Sequence, residues 1–167
     1  MSHIKLIATD WYQHLEYETV PVNAGGDNKH YLADYLESGH MVETLCLDRC
    51  HLDDTNQNIA PVVDFFHWLQ HPSFCVHRLK PGRYIPTHSD QYAYYMKTHG
   101  IEDINSVFRF IVFLEDSQDG HLLIIKNQVF NSYKAGYYAC WQGTTPHAAL
   151  NYGTTDRYTL QVTGVKK

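Results

Sequence analysis

The sequence has no apolar run near the roughly 20 residues that a membrane-crossing helix needs, so no such helix is expected. It also has no dense basic tract. Arg78–Lys80 with Arg83, and the Lys166–Lys167 pair, are the largest basic groupings in a chain of net charge −5. Phosphate backbones are held by clustered Lys and Arg, so this balance argues against nucleic acid as a partner. The opening residues MSHIKLIATDWYQHLEYETV lack the basic start and apolar core of a secretory signal. Cysteines stand only at 46, 50, 75 and 140. The expectation is a cytoplasmic protein with reduced thiols. Cys46-x3-Cys50-His51 is half of a zinc spacing, but no second Cys/His pair follows at a matching interval. Repeats, linkers and low-complexity tracts are missing too, which points to one domain over 1–167.

What is present leans toward β structure. A chain of 167 residues can bury a sizeable core. Its 44% hydrophobic and 19% charged residues suit a globular protein. The 13 Tyr, 7 Phe and 3 Trp favour strands, where aromatic side chains pack well on a pleated surface.

Two regions differ in texture. Residues 1–71 read as mixed α/β support: a short strand at Val20–Val22, a turn at Gly25-Gly26-Asp27-Asn28, a helix over His30–Glu37, a strand over Met41–Leu47, and a helix over Asn58–Gln70 with Pro61 in its first turn. From Pro72 onward, short β-branched and aromatic runs alternate with turn residues. Strands are predicted at Phe74–Leu79, Tyr84–His88, Ser106–Leu114, His121–Ile125, Val129–Tyr133, Tyr137–Trp141, Ala148–Tyr152 and Arg157–Val165. The fold class expected is mainly β, a double-stranded β-helix (jelly roll) over 72–165, with N-terminal helices packed on one outer face.

Three features carry chemistry together. His88-Ser89-Asp90 ends a predicted strand, and residues two apart on a strand project to one side. An imidazole and a carboxylate side by side are two-thirds of the facial triad that holds non-haem Fe(II) and leaves positions open. His147, opening another strand, supplies the third ligand if the two strands are neighbours. Arg157 and Thr159 share one strand face, while Tyr158, Leu160 and Val162 take the other. A guanidinium aimed into a barrel calls for a carboxylate to meet it in bidentate geometry; aimed outward, it would make an ordinary surface ion pair.

The spacing His88-x-Asp90 … His147-x9-Arg157-x-Thr159 resembles the signature of the 2-oxoglutarate/Fe(II)-dependent dioxygenase superfamily. Arg78-Leu79-Lys80-Pro81-Gly82 with Ile85-Pro86-Thr87-His88 is similar to the approach to the first ligand in prolyl hydroxylases and aspartyl/asparaginyl β-hydroxylase-like proteins. Phe108–Glu115, Gly120-His121-Leu122 and Lys134-Ala135-Gly136 resemble the middle strands of that family. The likeness covers roughly residues 72–165 and implies a hydroxylase that uses Fe(II), 2-oxoglutarate and O2. Such an enzyme couples decarboxylation of 2-oxoglutarate to succinate with oxidation of a small molecule or a protein side chain. The resemblance assigns His88, Asp90 and His147 to the metal, and Arg157 with Thr159 to the far carboxylate of 2-oxoglutarate. It also brings in Arg109, which shares a strand face with Ile111 and Phe113; a strand-edge salt bridge is the other reading of that residue. His121 stands where many relatives carry an acidic residue, a position facing substrate. Gln91–Asn105 follows the first ligand as a natural lid, its Tyr92, Tyr94 and Tyr95 available to line a substrate cleft. Trp141 is expected in the core with no role in chemistry.

Two rivals stay open. A metal-binding cupin-type protein would use the same barrel without 2-oxoglutarate. A non-catalytic jelly-roll binding module would have the spacing by coincidence.

Overall fold

Strand β10 (Arg157–Lys166) sets the plan of the molecule, because its alternate residues serve two different interiors. The protein is seen as a computed structural model that describes residues 3–6, 10–22 and 29–166, with only the backbone at 29–31. The expected turn at residues 25–28 lies outside the described residues. Ten strands are described: β1 (Glu18–Pro21), β2 (Cys46–Leu52), β3 (Leu69–Leu79), β4 (Tyr84–His88), β5 (Val107–Phe113), β6 (His121–Ile125), β7 (Gln128–Phe130), β8 (Tyr138–Gln142), β9 (His147–Asn151) and β10. They form two antiparallel sheets, one ordered β1-β2-β3-β10-β5-β8 and the other β4-β9-β6-β7. This is the mainly β jelly roll expected. Among the described residues no helix is long and apolar enough to cross a membrane.

On the outer face of the larger sheet, Tyr158, Leu160 and Val162 join Phe74, Val76, Phe110 and Val112 in one buried cluster. Residues from the first region close it: Ile4, Tyr12, Ile59, Val62 and Phe66. Each fully buried aliphatic or aromatic side chain here stabilises by about 1.5–3 kcal/mol. The smaller cluster between the two sheets comprises Ile111, Phe113, Leu123, Ile125, Tyr133, Ala139 and Trp141. It fills only one end of that space, and the rest is open.

Three local expectations need correction. The helix expected over Asn58–Gln70 is short: a 3-10 turn at Gln57–Ile59 leads into α2 (Ala60–Phe65), and Leu69 already begins β3. Backbone pairing of Leu69 with Lys166 and Gln70 with Val165 takes those residues into the sheet, overriding their helical spacing. The strand expected at Met41–Leu47 starts later, since Val42–Thr44 is a 3-10 turn and β2 covers Cys46–Leu52. Both faces of β2 carry polar residues, so apolar alternation does not reveal it. Asp48 is fully buried on one face, paired with Arg78 at 2.6 Å and Arg83 at 2.9 Å, while Arg49 and His51 point into the open space between the sheets. The lid segment also contains a helix, α3 (Ala93–His99), which ends at Gly100 in the left-handed conformation (φ 65°) with its N–H on the Met96 carbonyl. The helix over residues 30–37 is present as α1 (Lys29–Glu37).

Candidate functional site

His88 closes β4 and His147 opens β9, and the two are cross-strand partners with ring centroids 4.3 Å apart. Asp90 follows two residues after His88. Its Oδ1 lies 3.7 Å from His88 Nε2 and its Oδ2 lies 3.6 Å from His147 Nε2. One ligand atom from each residue falls within 4.8 Å of the others, and this is the group of metal-binding side chains so arranged among the described residues. Both imidazoles are oriented from behind: His88 Nδ1 bonds the Pro86 carbonyl at 2.9 Å and His147 Nδ1 bonds the Thr145 carbonyl at 3.0 Å. A carbonyl only accepts, so each Nδ1 carries the proton and each Nε2 lone pair is left facing Asp90. This outer support is the usual companion of metal-binding histidines. Burial pushes His147 down to about 4, against the pull of Asp90, so its ring is neutral at physiological pH.

Arg109 completes the group. Its Nη2 donates to Asp90 Oδ2 at 2.9 Å, and its Nε reaches the Tyr92 hydroxyl at 3.5 Å. Burial opposes ionisation of Asp90, but the Arg109 guanidinium overrides it and holds the carboxyl well below its usual range. Arg109 lines the same cavity as the triad, with one of its nitrogens already bound to the Asp90 carboxylate.

The triad opens on a cavity of about 660 Å³ between the sheets. Arg157 and Thr159 line it, as strand alternation predicts. Arg157 is 3% exposed. Its Nε donates to the Tyr133 hydroxyl at 3.2 Å, while its buried Nη2 has no partner. Trp141 also lines the cavity, its ring 4.4 Å from that of His147 and its buried Nε1 without a partner. Trp141 stands in the core cluster as expected, with one side of it turned to the cavity.

The expected substrate residues divide. Tyr94 lines the cavity and is 85% exposed. Tyr92 is buried behind the site with its ring 5.0 Å from the Arg109 guanidinium carbon. Tyr95 donates to the His71 carbonyl at 2.8 Å and packs on His99, tying α3 to β3. His121 is fully buried with Nε2 3.2 Å from the Thr155 carbonyl, and it is not among the cavity-lining residues. Pairing with Asn151 places it at the closed end of the smaller sheet, so the substrate-facing expectation is corrected for Tyr92, Tyr95 and His121. Conversely, sequence reasoning passed over Arg49, His77 and Gln161 and read His51 only as part of a zinc spacing, yet all four line the cavity. Burial, with Arg109, His51 and Arg157 adding positive charge nearby, holds His77 down to about 3. The one available signal was a histidine interrupting the apolar run Phe74-Cys75-Val76. Cys46, Cys50 and His51 do not come together as a group of potential ligands among the described residues; the Cys46 and Cys50 thiols bond backbone carbonyls.

No protein-family model and no curated protein matches the sequence. Among solved structures, the chain is similar to a predicted oxalate decarboxylase from Thermotoga maritima, with 14% identity over 92% of this chain and 96% of that one and a TM-score of 0.51. Looser likenesses are the cupin domain of an XRE-family transcriptional regulator from Enterobacter cloacae (11% identity, 72% and 98% covered, TM-score 0.46) and KdgF from Halomonas sp. (7%, 72% and 80%, 0.45). At 14% identity the first likeness shows the jelly-roll fold alone, and the chemistry has to be argued from the side chains.

Proposed function

We propose that the protein is an Fe(II)- and 2-oxoglutarate-dependent oxygenase of hydroxylase type. His88, Asp90 and His147 hold the metal, and Arg157 with Thr159 holds the far carboxylate of 2-oxoglutarate. The observation that carries this reading is Arg157, a 3% exposed cation lining the same cavity as the triad with one Nη2 unpartnered. Glu115 feels this charge but makes no ion pair with it, and burying a cation without a paired anion costs several kcal/mol, so a carboxylate ligand meeting the free Nη2 accounts for its presence. A two-imidazole, one-carboxylate set with protonated Nδ1 positions fits Fe(II) and leaves coordination positions for a keto acid and O2. When bound, the iron supplies the O2 activation that couples oxidative decarboxylation to substrate oxidation.

The chain's own residues do the positioning. The Pro86 and Thr145 carbonyls fix the two imidazole tautomers. Arg109 occupies Asp90 Oδ2, keeps the carboxylate ionised, and leaves Oδ1 as the oxygen available to a metal. Thr159, 2% exposed on the same face as Arg157, adds a hydroxyl donor to the co-substrate seat. Walls such as Ile85, Ile111 and Leu123 exclude water from it. All four thiols are free, and we place the protein in the cytoplasm.

The cupin-type fold favours a second reading, a metal-binding barrel that does not use 2-oxoglutarate. Anaerobic titration separates the two. On the oxygenase reading, Fe(II) and 2-oxoglutarate together produce a weak visible metal-to-ligand charge-transfer band, and admitting O2 with a substrate yields succinate. Iron binding with neither the band nor 2-oxoglutarate affinity would leave the cupin reading standing.

A further inference from the structure

The cavity, at about 660 Å³, is larger than a metal and one keto acid require, and its unused polar residues form an ordered strip. On the cavity face of the larger sheet, Arg49 pairs with His77, and His77 pairs with Thr159. In the adjacent row, His51 pairs with Cys75, and Cys75 with Gln161. Cross-strand partners stand about 4.5–5.5 Å apart at Cβ, so the strip runs continuously from Thr159 across β3 to β2. It leads from the co-substrate seat toward the rim, where Arg49 makes a half-exposed pair with Glu18 at 3.1 Å. Among the described residues, the side chains of His77, His51 and Gln161 have no hydrogen-bond partner, so all three are free to meet a ligand.

Charge narrows what that ligand is. The cavity is lined by three arginines, Arg49, Arg109 and Arg157, and by one carboxylate, Asp90. Asp90 is taken by Arg109 and, on the proposed function, by the metal. A cationic substrate would find no counter-charge on these walls. An anionic one meets Arg49, two imidazole N–H groups and an amide, on walls whose arginines outnumber the one carboxylate.

We propose that the substrate is a small molecule bearing an anionic oxygen group, a carboxylate or a phosphate, and that His77, His51, Arg49 and Gln161 form the subsite that holds it. Its standing as substrate rests on the oxygenase reading; its binding does not.

The test uses the full chain loaded with Zn(II), which is redox-inert, and saturating 2-oxoglutarate. Hexanoate, hexyl phosphate, hexanol and hexylamine are titrated by ligand-observed NMR. The acid or the phosphate should bind at least about tenfold more tightly than the alcohol and the amine, and the preference between these two names the oxyanion. His77→Phe and Gln161→Leu should each weaken the oxyanion by about tenfold or more, as expected for losing one hydrogen bond to a charged group. Arg49→Gln, at the solvent-exposed rim, should weaken it without disturbing the fold. Equal binding of acid and amine, no oxyanion binding, retention in all three variants, or displacement by 2-oxoglutarate would overturn the subsite. Affinity for 2-oxoglutarate is read in the same samples. Its absence alongside intact oxyanion selectivity overturns the oxygenase reading alone, and its presence without selectivity overturns the subsite alone.

Discussion

The two faces of β10 obey opposite rules. On the outer face, Tyr158, Leu160 and Val162 are buried against apolar neighbours, with the Tyr158 hydroxyl bonded to Asp156 at 3.2 Å. On the inner face, one residue away each time, Arg157, Thr159 and Gln161 look into open space. Among the described residues, two of the three buried side-chain nitrogens without a hydrogen-bond partner, Arg157 Nη2 and Trp141 Nε1, belong to residues lining that space. Native proteins pair nearly all buried polar groups, so unpaired ones gathered on one face mark where a ligand completes the structure. The outer face holds the fold together, and the inner face lines the cavity.

The largest effect should come from breaking the inner face at the metal. Asp90→Ala should abolish Fe(II) binding and all turnover, and should also cost about 3–5 kcal/mol of stability by leaving Arg109 buried without its partner. Adding Arg109→Met should return much of that stability, measured by denaturant unfolding, without returning iron binding. Iron affinity at the parent level in Asp90→Ala would remove the triad from consideration.

Arg157→Ala should spare metal binding and raise the KM for 2-oxoglutarate by several hundred-fold, from about 3–5 kcal/mol for a buried charged pair broken on one side. Arg157→Lys should raise it less, because it keeps the charge and loses the fork. Thr159→Ala should lose about 1.5–3 kcal/mol of co-substrate affinity. Succinate release against 2-oxoglutarate concentration measures all three, and an unchanged KM in Arg157→Ala would end the co-substrate assignment.

The outer face should answer differently. Leu160→Ala should lower stability by about 2–5 kcal/mol through lost burial and a cavity, while metal and co-substrate affinities per folded molecule stay at the parent level. A comparable loss of affinity would show that the two faces are not separable.

The smallest effect lies where the faces meet. Burial raises Glu115 from 4.5 to about 6, against the Tyr158 N–H at 2.9 Å and the charge of Arg157. The folded state therefore takes up a proton that the unfolded state has released. Stability should fall as pH rises from about 4.5 to about 6 and stay lower above that. The side chain is 20% exposed, and solvent screening reduces the cost at neutral pH to about 1 kcal/mol. Glu115→Gln should remove this step, seen as a smaller stability difference between pH 4.5 and pH 8. An unaltered pH profile would mean that Glu115 titrates normally.

Local sequence was a good guide wherever one face of a strand is apolar. Tyr84–His88 and His121–Ile125 are strands with the expected ends, and β5, β8, β9 and β10 differ from expectation by a residue or so. It failed at β2, where the buried face is completed by the Asp48 ion pairs and the other face belongs to the cavity. It failed at α3, whose seven residues present no buried side chain and so no apolar stripe. In the site, His88, Asp90, His147, Arg157 and Thr159 were legible from two-residue alternation and spacing. His77, Arg49, His51 and Gln161 were not, although each obeys the same alternation.

Strand periodicity is a property of the backbone, so the order of residues alone determined which side chains of β10 share a face; Asp90 lies two residues beyond His88, past the end of β4, and its place beside both histidines is tertiary. The tertiary structure alone decided which faces turn inward and what stands beside them. His77 meets Thr159 only because β3 pairs with β10 across about 80 residues of chain, and Arg109 meets Asp90 only because the two sheets close on each other. Those pairings are held by contacts between residues remote in sequence, and no local pattern encodes them.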